Sequence, residues 1–248
     1  MVAGACQLVV AIDGPAGSGK STVGAEVAKR LGALYFDTGV VYRVLALLAL
    51  ERGIAPDDAE RLAQLAQNLS IRVGLPSIQD GRLYDVWLDG RDVTWAIRTP
   101  EIDRLASLVS AHPPVRRALI RLQRELARNG RVVIAGRDIG TVVMPEAPVK
   151  IWLHASLEER ARRRQRDLAR RGIVRSLEEI VAELADRDRR DATRAIAPMR
   201  PAEDAVIIDT DDRTIEAVVE TVLAVIRERC ECANHGSDSA EVAPLAAP

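Results

Sequence analysis

Lysine is almost missing from this chain. Of 35 residues that are Lys or Arg, only Lys20, Lys29 and Lys150 are lysine. Aromatic residues make up 3%, with a single phenylalanine. The tryptophans number three, with no interleaved basic stripe, so no stacking platform for single-stranded nucleic acid is built and a nucleic-acid-driven ATPase is disfavoured. A net charge of −1 argues against a general binder of polyanions, nucleic acid and anionic membrane alike. Cysteine is confined to Cys6, Cys230 and Cys232, too few and too clustered for a disulfide framework. A reducing compartment, the cytoplasm, is therefore expected. Cys230, Cys232 and His235 resemble a metal-ligand set only faintly, and a loose metal-free tail is the preferred reading. The longest apolar run, Val44 to Leu50, is bracketed by Arg43 and Glu51 and is far short of a membrane span. The first apolar stretch lacks a basic start and runs into Asp13, as a core strand does and a signal peptide does not. None of Asn68, Asn129 and Asn234 precedes a lysine, so the guanine-reading Asn-Lys-x-Asp of a GTP-dependent switch is absent. No internal repeat is visible.

What the chain does possess stands near its start. Residues 8–22 read LVVAIDGPAGSGKST, a short buried strand leading directly into a complete G-x-x-x-x-G-K-[ST] loop. Gly14, Pro15, Ala16, Gly17, Ser18, Gly19, Lys20, Ser21 and Thr22 form the expected ATP-binding segment. The glycines let successive backbone N–H groups face phosphate oxygens, Lys20 adds a point charge toward the β- and γ-phosphates, and the Ser21 hydroxyl is the expected Mg²⁺ ligand. A chain that uses arginine nearly everywhere keeps lysine here, where a compact ammonium fits and a planar guanidinium does not.

Five short apolar runs alternate with helical patterns: Leu8–Ile12, Leu34–Phe36, Arg131–Ala135, Val149–Leu153 and Ala205–Ile208. Unbroken Val/Ile runs mark strands covered on both faces, which predicts an α/β fold with a five-stranded parallel sheet and helices on both sides. Helices are expected near Lys20–Leu31, Val41–Glu51, Pro56–Gln67, Thr99–His112, Pro114–Asn129, Leu157–Arg171, Leu177–Arg190 and Thr214–Glu231. Residues 70–95 break the pattern. Ser70–Val73, Arg82–Leu88 and Arg91–Val93 look like strands, punctuated by Asp80-Gly81 and Asp89-Gly90, which predicts a small antiparallel sheet. From about Cys232 the composition turns to Ala, Ser, Pro and Glu without periodicity, the pattern of a disordered tail over 232–248.

Ligands of open α/β sheets bind outside the carboxyl ends of the strands. Applied here, the rule gathers the Gly14–Ser21 loop, then Asp37-Thr38-Gly39 with Tyr42 and Arg43, then Gly136-Arg137-Asp138, and finally Asp209-Thr210-Asp211. Arg43 and Arg137 are placed to grip a second phosphate through their guanidinium forks. Residues 157–194 are dense in arginine; most of that run reads as a solvated helix face with i,i+4 pairs. Two helices joined around Gly172 also have the reach to fold over bound phosphates as a lid. Asp209 imitates the end of a Walker-B strand, but a turn-capping role is preferred over magnesium binding. His112 and His154 lack ligand partners at metal spacing and read as structural.

In order along the chain, IDGPAGSGKST, YFDTGVVYR, IRTPEID…ASLVS, AGRDIGTVVMPEAPVKIWL, RDRRD…R and APMRPAEDAVIIDT resemble bacterial cytidylate kinases, nucleoside monophosphate kinases of the P-loop class. The resemblance spans about Leu8 to Arg229. It implies a single P-loop kinase domain over 1–231. Its core comprises 1–36, 114–156 and 191–231; an acceptor-binding arm covers 37–113 with the antiparallel insert at about 70–95; a lid covers about 157–190. It also implies ATP as donor with Mg²⁺, and CMP or dCMP as acceptor, giving CDP or dCDP in pyrimidine nucleotide metabolism. Carried over by matching motif, Arg43, Arg137 and Arg194 hold the acceptor phosphate, with Thr38 and Tyr42 alongside. Ser107, Arg116 and Asp138 read the cytosine edge, Arg187 and Asp191 meet the sugar, and Arg160 and Arg164 are lid contacts. Lys20, Arg137 and Arg194 are the expected catalytic groups. Val40 stands where the family more often has alanine, and Met199 replaces a usual leucine. A monomer acting on small molecules, without nucleic-acid or membrane partners, is expected; a kinase for UMP, AMP or a hydroxylated metabolite is the nearest rival.

Overall fold

The computed structural model describes residues 8–128, 130–170 and 172–235, the last five by backbone alone. The chain opens with β1 (Val9–Asp13), the loop, α1 (Lys20–Leu31), β2 (Leu34–Asp37) and α2 (Gly39–Glu51). Then come α3 (Ala59–Gln67), β3 (Ile71–Gly74), β4 (Asp85–Leu88), β5 (Arg91–Asp92), α4 (Pro100–Val109) and α5 (Pro113–Ala127). The second half holds β6 (Val132–Ala135), β7 (Val149–His154), α6 (Leu157–Arg170), α7 (Leu177–Ala192), β8 (Val206–Asp209) and α8 (Ile215–His235). The main sheet has the order β2-β6-β1-β7-β8 and every pairing in it is parallel. All residues of β1 and β6 are buried, as central strands covered on both faces require. At the edge, β8 leaves Ile207 63% exposed. No helix among the described residues is long and apolar enough to cross a membrane.

Helix boundaries follow local chemistry. Thr99 caps α4 by accepting from the Ile102 N–H, with Pro100 next in line, so the helix starts one residue later than expected. Asp58 caps α3 in the same way, which moves its start from Pro56 to Ala59. Ser176 and Glu179 form a reciprocal capping box on α7. That helix runs unbroken to Ala192, and α8 continues to His235, so the first residues expected of the tail are helical. Cys6 and residues 236–248 lie outside the described residues, as do the side chains of Cys232 and His235. A metal-ligating group of three is absent among the described residues.

The antiparallel sheet β3-β4-β5 forms within the expected insert. Asp89 and Gly90, both at positive φ, make its tight β4–β5 turn. Asp80-Gly81 does not make a second one. Instead Arg82, buried, donates to Asp80, Asp85 and Asp92. This knot pulls residues 80–84 out of the ladder, so β4 begins at Asp85 and not at Arg82. A π-helical turn at Ile139–Val143, after β6, carried no sequence signal. A smaller apolar cluster of Ala16, Ala161, Leu168, Ile180 and Leu184 packs α6 and α7 against the phosphate loop.

Candidate active site

Every group that the strand-end rule gathered lies along one edge of the sheet. β1 delivers the loop, whose Gly14, Gly17 and Gly19 all take positive φ. A side chain at Gly14 would place its Cβ 2.2 Å from the Leu153 carbonyl oxygen, so the loop packs onto the neighbouring strand only with glycine there. The start of α1 carries no side-chain cap, leaving its N–H groups and positive dipole end for an anion. Lys20 is buried and donates to the carbonyls of Gly14 at 2.7 Å and Pro15 at 2.6 Å. Burial, then Arg137 and Arg187, hold its ammonium well below the usual lysine range, against the pull of Asp13 and Asp191. Ser18 is fully buried, whereas Ser21 and Thr22 are exposed on the first turn of α1.

Asp13 was not singled out by the sequence. Its carboxylate accepts from the Ile139 N–H at 2.9 Å and the Gly140 N–H at 2.7 Å, tying β1 to the π-helical turn. Burial pushes its pKa up to about 6, although both N–H groups favour the charged form.

Beyond the loop, the ends of β2 and β6 deliver the residues expected to meet the acceptor. Thr38 is buried and bonds the Ala135 carbonyl, joining the ends of the two strands. On α2, Arg43 donates to Asp37 at 3.0 Å and to Asp103 of α4 at 2.8 Å. Arg116 and Asp138 form a buried pair at 2.9 Å, with the Arg116 guanidinium 5.7 Å over the Tyr42 ring. The Nε of Arg116 is buried without a hydrogen-bond partner among the described residues. Burial raises Asp138, against Arg116, Arg194 and Arg137. Arg137 donates to Asp191 at 3.1 Å, and Arg194 pairs with the other oxygen of the same buried carboxylate. Arg187 is exposed on α7, yet crowding by surrounding atoms, then the charges of Arg137, Arg43 and Arg194, lowers its pKa against the pull of Asp191. Ser107 is exposed on α4, and no hydrogen bond joins it to Arg116 or Asp138 among the described residues.

The arginine run divides. Arg160 is buried, donating to the carbonyls of Ala16 and Ala155, both at 3.1 Å, and pairing with Asp188 at 2.7 Å. It is an internal tie between α6, α7 and the loop. Arg164 is exposed. Arg163 donates twice to Thr210, which in turn reaches the Ser18 carbonyl. The charge run hid this difference, since twelve residues of one type look alike until α6 is seated. Asp209 is exposed and accepts from the Asp211 N–H, a turn-forming contact, while Asp211 caps the approach to α6 through Ser156 N–H. His112 contacts the Pro56 carbonyl at 2.8 Å, a structural role.

The exposed Ser21 hydroxyl on the first turn of α1 is the protein oxygen that would hold a magnesium ion at the loop. That donor set fits an ion that keeps most of its waters and binds phosphate oxygens, and it does not fit an all-protein cage.

The family model for cytidylate kinase matches residues 10–228. A cytidylate kinase of Chloroflexus aggregans is 52% identical over 214 residues, 86% of this chain and 91% of the relative. Cytidylate kinases of Roseiflexus castenholzii and a Geobacillus species are 47% and 48% identical, covering 90% and 89% of this chain and 95% and 96% of the relatives. Identity of this depth over nearly the full length of each relative exceeds a shared phosphate loop, and the chain belongs to the cytidylate kinase family of nucleoside monophosphate kinases.

Proposed function

We propose that the protein transfers the γ-phosphoryl group of ATP, with Mg²⁺, to CMP or dCMP, giving CDP or dCDP. The observation that carries this reading is the crowding of cations at the sheet edge. Burial, then Arg137 and Arg187, lower Lys20, and Arg187, exposed on α7, is itself lowered where surrounding atoms and the charges of Arg137, Arg43 and Arg194 crowd it. Such a cluster costs stability in a protein of net charge −1 and is relieved when phosphates arrive between the charges.

The attacking group is an acceptor phosphate oxygen that is already anionic, so no dedicated base is required. The chain's task is positioning and charge neutralisation. Loop N–H groups and Lys20 hold the β- and γ-phosphates. Arg43, Arg137 and Arg194 orient the acceptor phosphate in line. The Ser21 hydroxyl would hold magnesium, which would supply neutralisation of the phosphate oxygens when bound. Asp138 and Arg116 offer an acceptor and a donor that match the amino group and ring acceptors of cytosine and mismatch uracil. Ser107 joins them at the base, while Arg187 and Asp191 face the sugar. Residues 157–190 act as the lid and 37–113 as the acceptor arm. In this reading the lid contribution of Arg160 runs through the loop carbonyl it holds, and Arg164 is the arginine available to meet donor phosphates. The enzyme works as a cytoplasmic monomer on small molecules.

The test is ADP release with Mg-ATP against CMP, dCMP, UMP, AMP and GMP, with ATP alone as control. Turnover with CMP and dCMP far above the rest is expected. Preference for another acceptor, or release without any, overturns the cytosine assignment.

A further inference from the structure

A hydroxyl of the insert reaches the carboxylate at the end of β2. Tyr84, on the loop before β4, is 1% exposed and among the largest fully buried side chains. Its ring packs against Tyr35 with centroids 6.0 Å apart, and the Arg98 guanidinium lies 5.0 Å over its face. The phenol donates to Asp37 Oδ2 in a short hydrogen bond. The other oxygen of that carboxylate, Oδ1, receives Arg43 Nη1 at 3.0 Å, and Arg43 Nε is taken by Asp103 at 2.8 Å. With Nε and Nη1 held by carboxylates from two different elements, the Arg43 guanidinium is fixed in orientation, and Nη2 makes no hydrogen bond among the described residues.

Position 39 shows how tightly the pair is built. A Cβ on Gly39 would sit 2.7 Å from Asp37 Oδ1 and 2.8 Å from Arg43 Nη1. The ion pair passes directly over a bare Cα. Burial works against the charge on Asp37, but Arg43 and the Tyr84 hydroxyl outweigh it and keep the carboxyl below its usual range. A phenylalanine would fill the same space as Tyr84, so packing alone gives no reason for the hydroxyl.

We propose that Tyr84 is a positioning residue for the acceptor phosphate: by fixing the Asp37 carboxylate it aims Arg43, so that the antiparallel insert sets acceptor affinity without touching the acceptor. The inference rests on the reading of Arg43 as an acceptor-phosphate ligand.

The experiment compares Tyr84→Phe, Gly39→Ala, Arg43→Ala and the double variant Tyr84→Phe/Arg43→Ala, reading KM for CMP, KM for ATP, kcat and the thermal midpoint. Tyr84→Phe is expected to raise KM for CMP about 10-fold, with KM for ATP and kcat within about two-fold. Gly39→Ala, favourable for helix formation but intruding on the ion pair, should do the same. In the Arg43→Ala background the Tyr84→Phe change should add little, because the residue it aims is gone. If Arg43→Ala raises KM for CMP while Tyr84→Phe and Gly39→Ala leave it unchanged, the positioning role is overturned and the Arg43 reading stands. If Arg43→Ala itself leaves KM for CMP unchanged, the underlying reading fails, and the proposal with it. Should Tyr84→Phe not fold, Tyr84→Leu, which also lacks the hydroxyl, takes its place; a raised KM for CMP in Gly39→Ala alone, with the tyrosine variant unchanged, also overturns the proposal. A fallen midpoint with unchanged KM values marks a purely structural tyrosine and also overturns the proposal.

Discussion

Arg160 donates to the backbone carbonyl of Ala16 at 3.1 Å, so the first helix beyond β7 is fastened to the phosphate loop it faces. The same guanidinium pairs with Asp188 of α7 at 2.7 Å, which makes it the pin through loop and both helices. Arg160→Ala leaves Asp188 without its partner and the loop without its tie. A loss of about 3 kcal/mol in urea unfolding is expected, with a raised KM for ATP. Arg164→Ala, at an exposed position, should leave stability unchanged.

Lys20→Ala should keep the fold and lose turnover. The ammonium is buried and held below its usual range, so its removal relieves a desolvated charge and does not open the core. A fall in kcat of roughly 10³-fold with an unchanged circular dichroism spectrum is expected. Near-normal turnover would refute the role.

Asp13 gives a pH signature. Its folded pKa, about 6, lies above the ordinary aspartate value of 3.8, so the folded state binds more protons between the two. Its contribution to stability is therefore greatest below about pH 4 and is lost as pH rises through about 6, a change of about 3 kcal/mol. Measured as the difference between the parent protein and Asp13→Ala, the parent's advantage should shrink from about pH 4 to about pH 7. A difference that grows over that interval would show that the N–H groups of Ile139 and Gly140, and not burial, dominate.

Acceptor choice should follow the Arg116–Asp138 pair. Asp138→Asn replaces a charged acceptor by an amide that can present either edge. The expected result is a loss of roughly 10²-fold in kcat/KM for CMP and a smaller change for UMP, narrowing discrimination. Equal losses for both acceptors would place Asp138 in charge balance and not in base recognition.

The phosphate loop and the parallel sheet were legible because each rests on local pattern. Glycines at 14, 17 and 19 serve one backbone path, and unbroken runs such as Val9–Ile12 and Val132–Ala135 have no other stable place than between two helical layers. Asp89-Gly90 announced its turn for the same reason, since two adjacent positive φ values favour that dipeptide. Asp80-Gly81 offered an identical signal and was overruled by Arg82, whose three carboxylate partners lie up to ten residues away. A dipeptide cannot report that.

Strand ends could be read from the chain, and with them the edge where Lys20, Arg43, Arg137 and Asp138 meet. Which arginine is bound to which carboxylate could not, because the partners of Asp191, Asp37 and Asp188 are settled by where α2, α6 and α7 come to rest. The π-helical turn is the plainest case. Its residues, IGTVV, carry no helical or strand period, and it forms beside Asp13, a carboxylate more than a hundred residues earlier that enters its two N–H groups only once β1 and β6 pair. Local pattern fixes the elements, since backbone sterics and burial act within a few residues. Charge pairing across the cleft is decided by packing, since it depends on distances that exist only after the chain has folded.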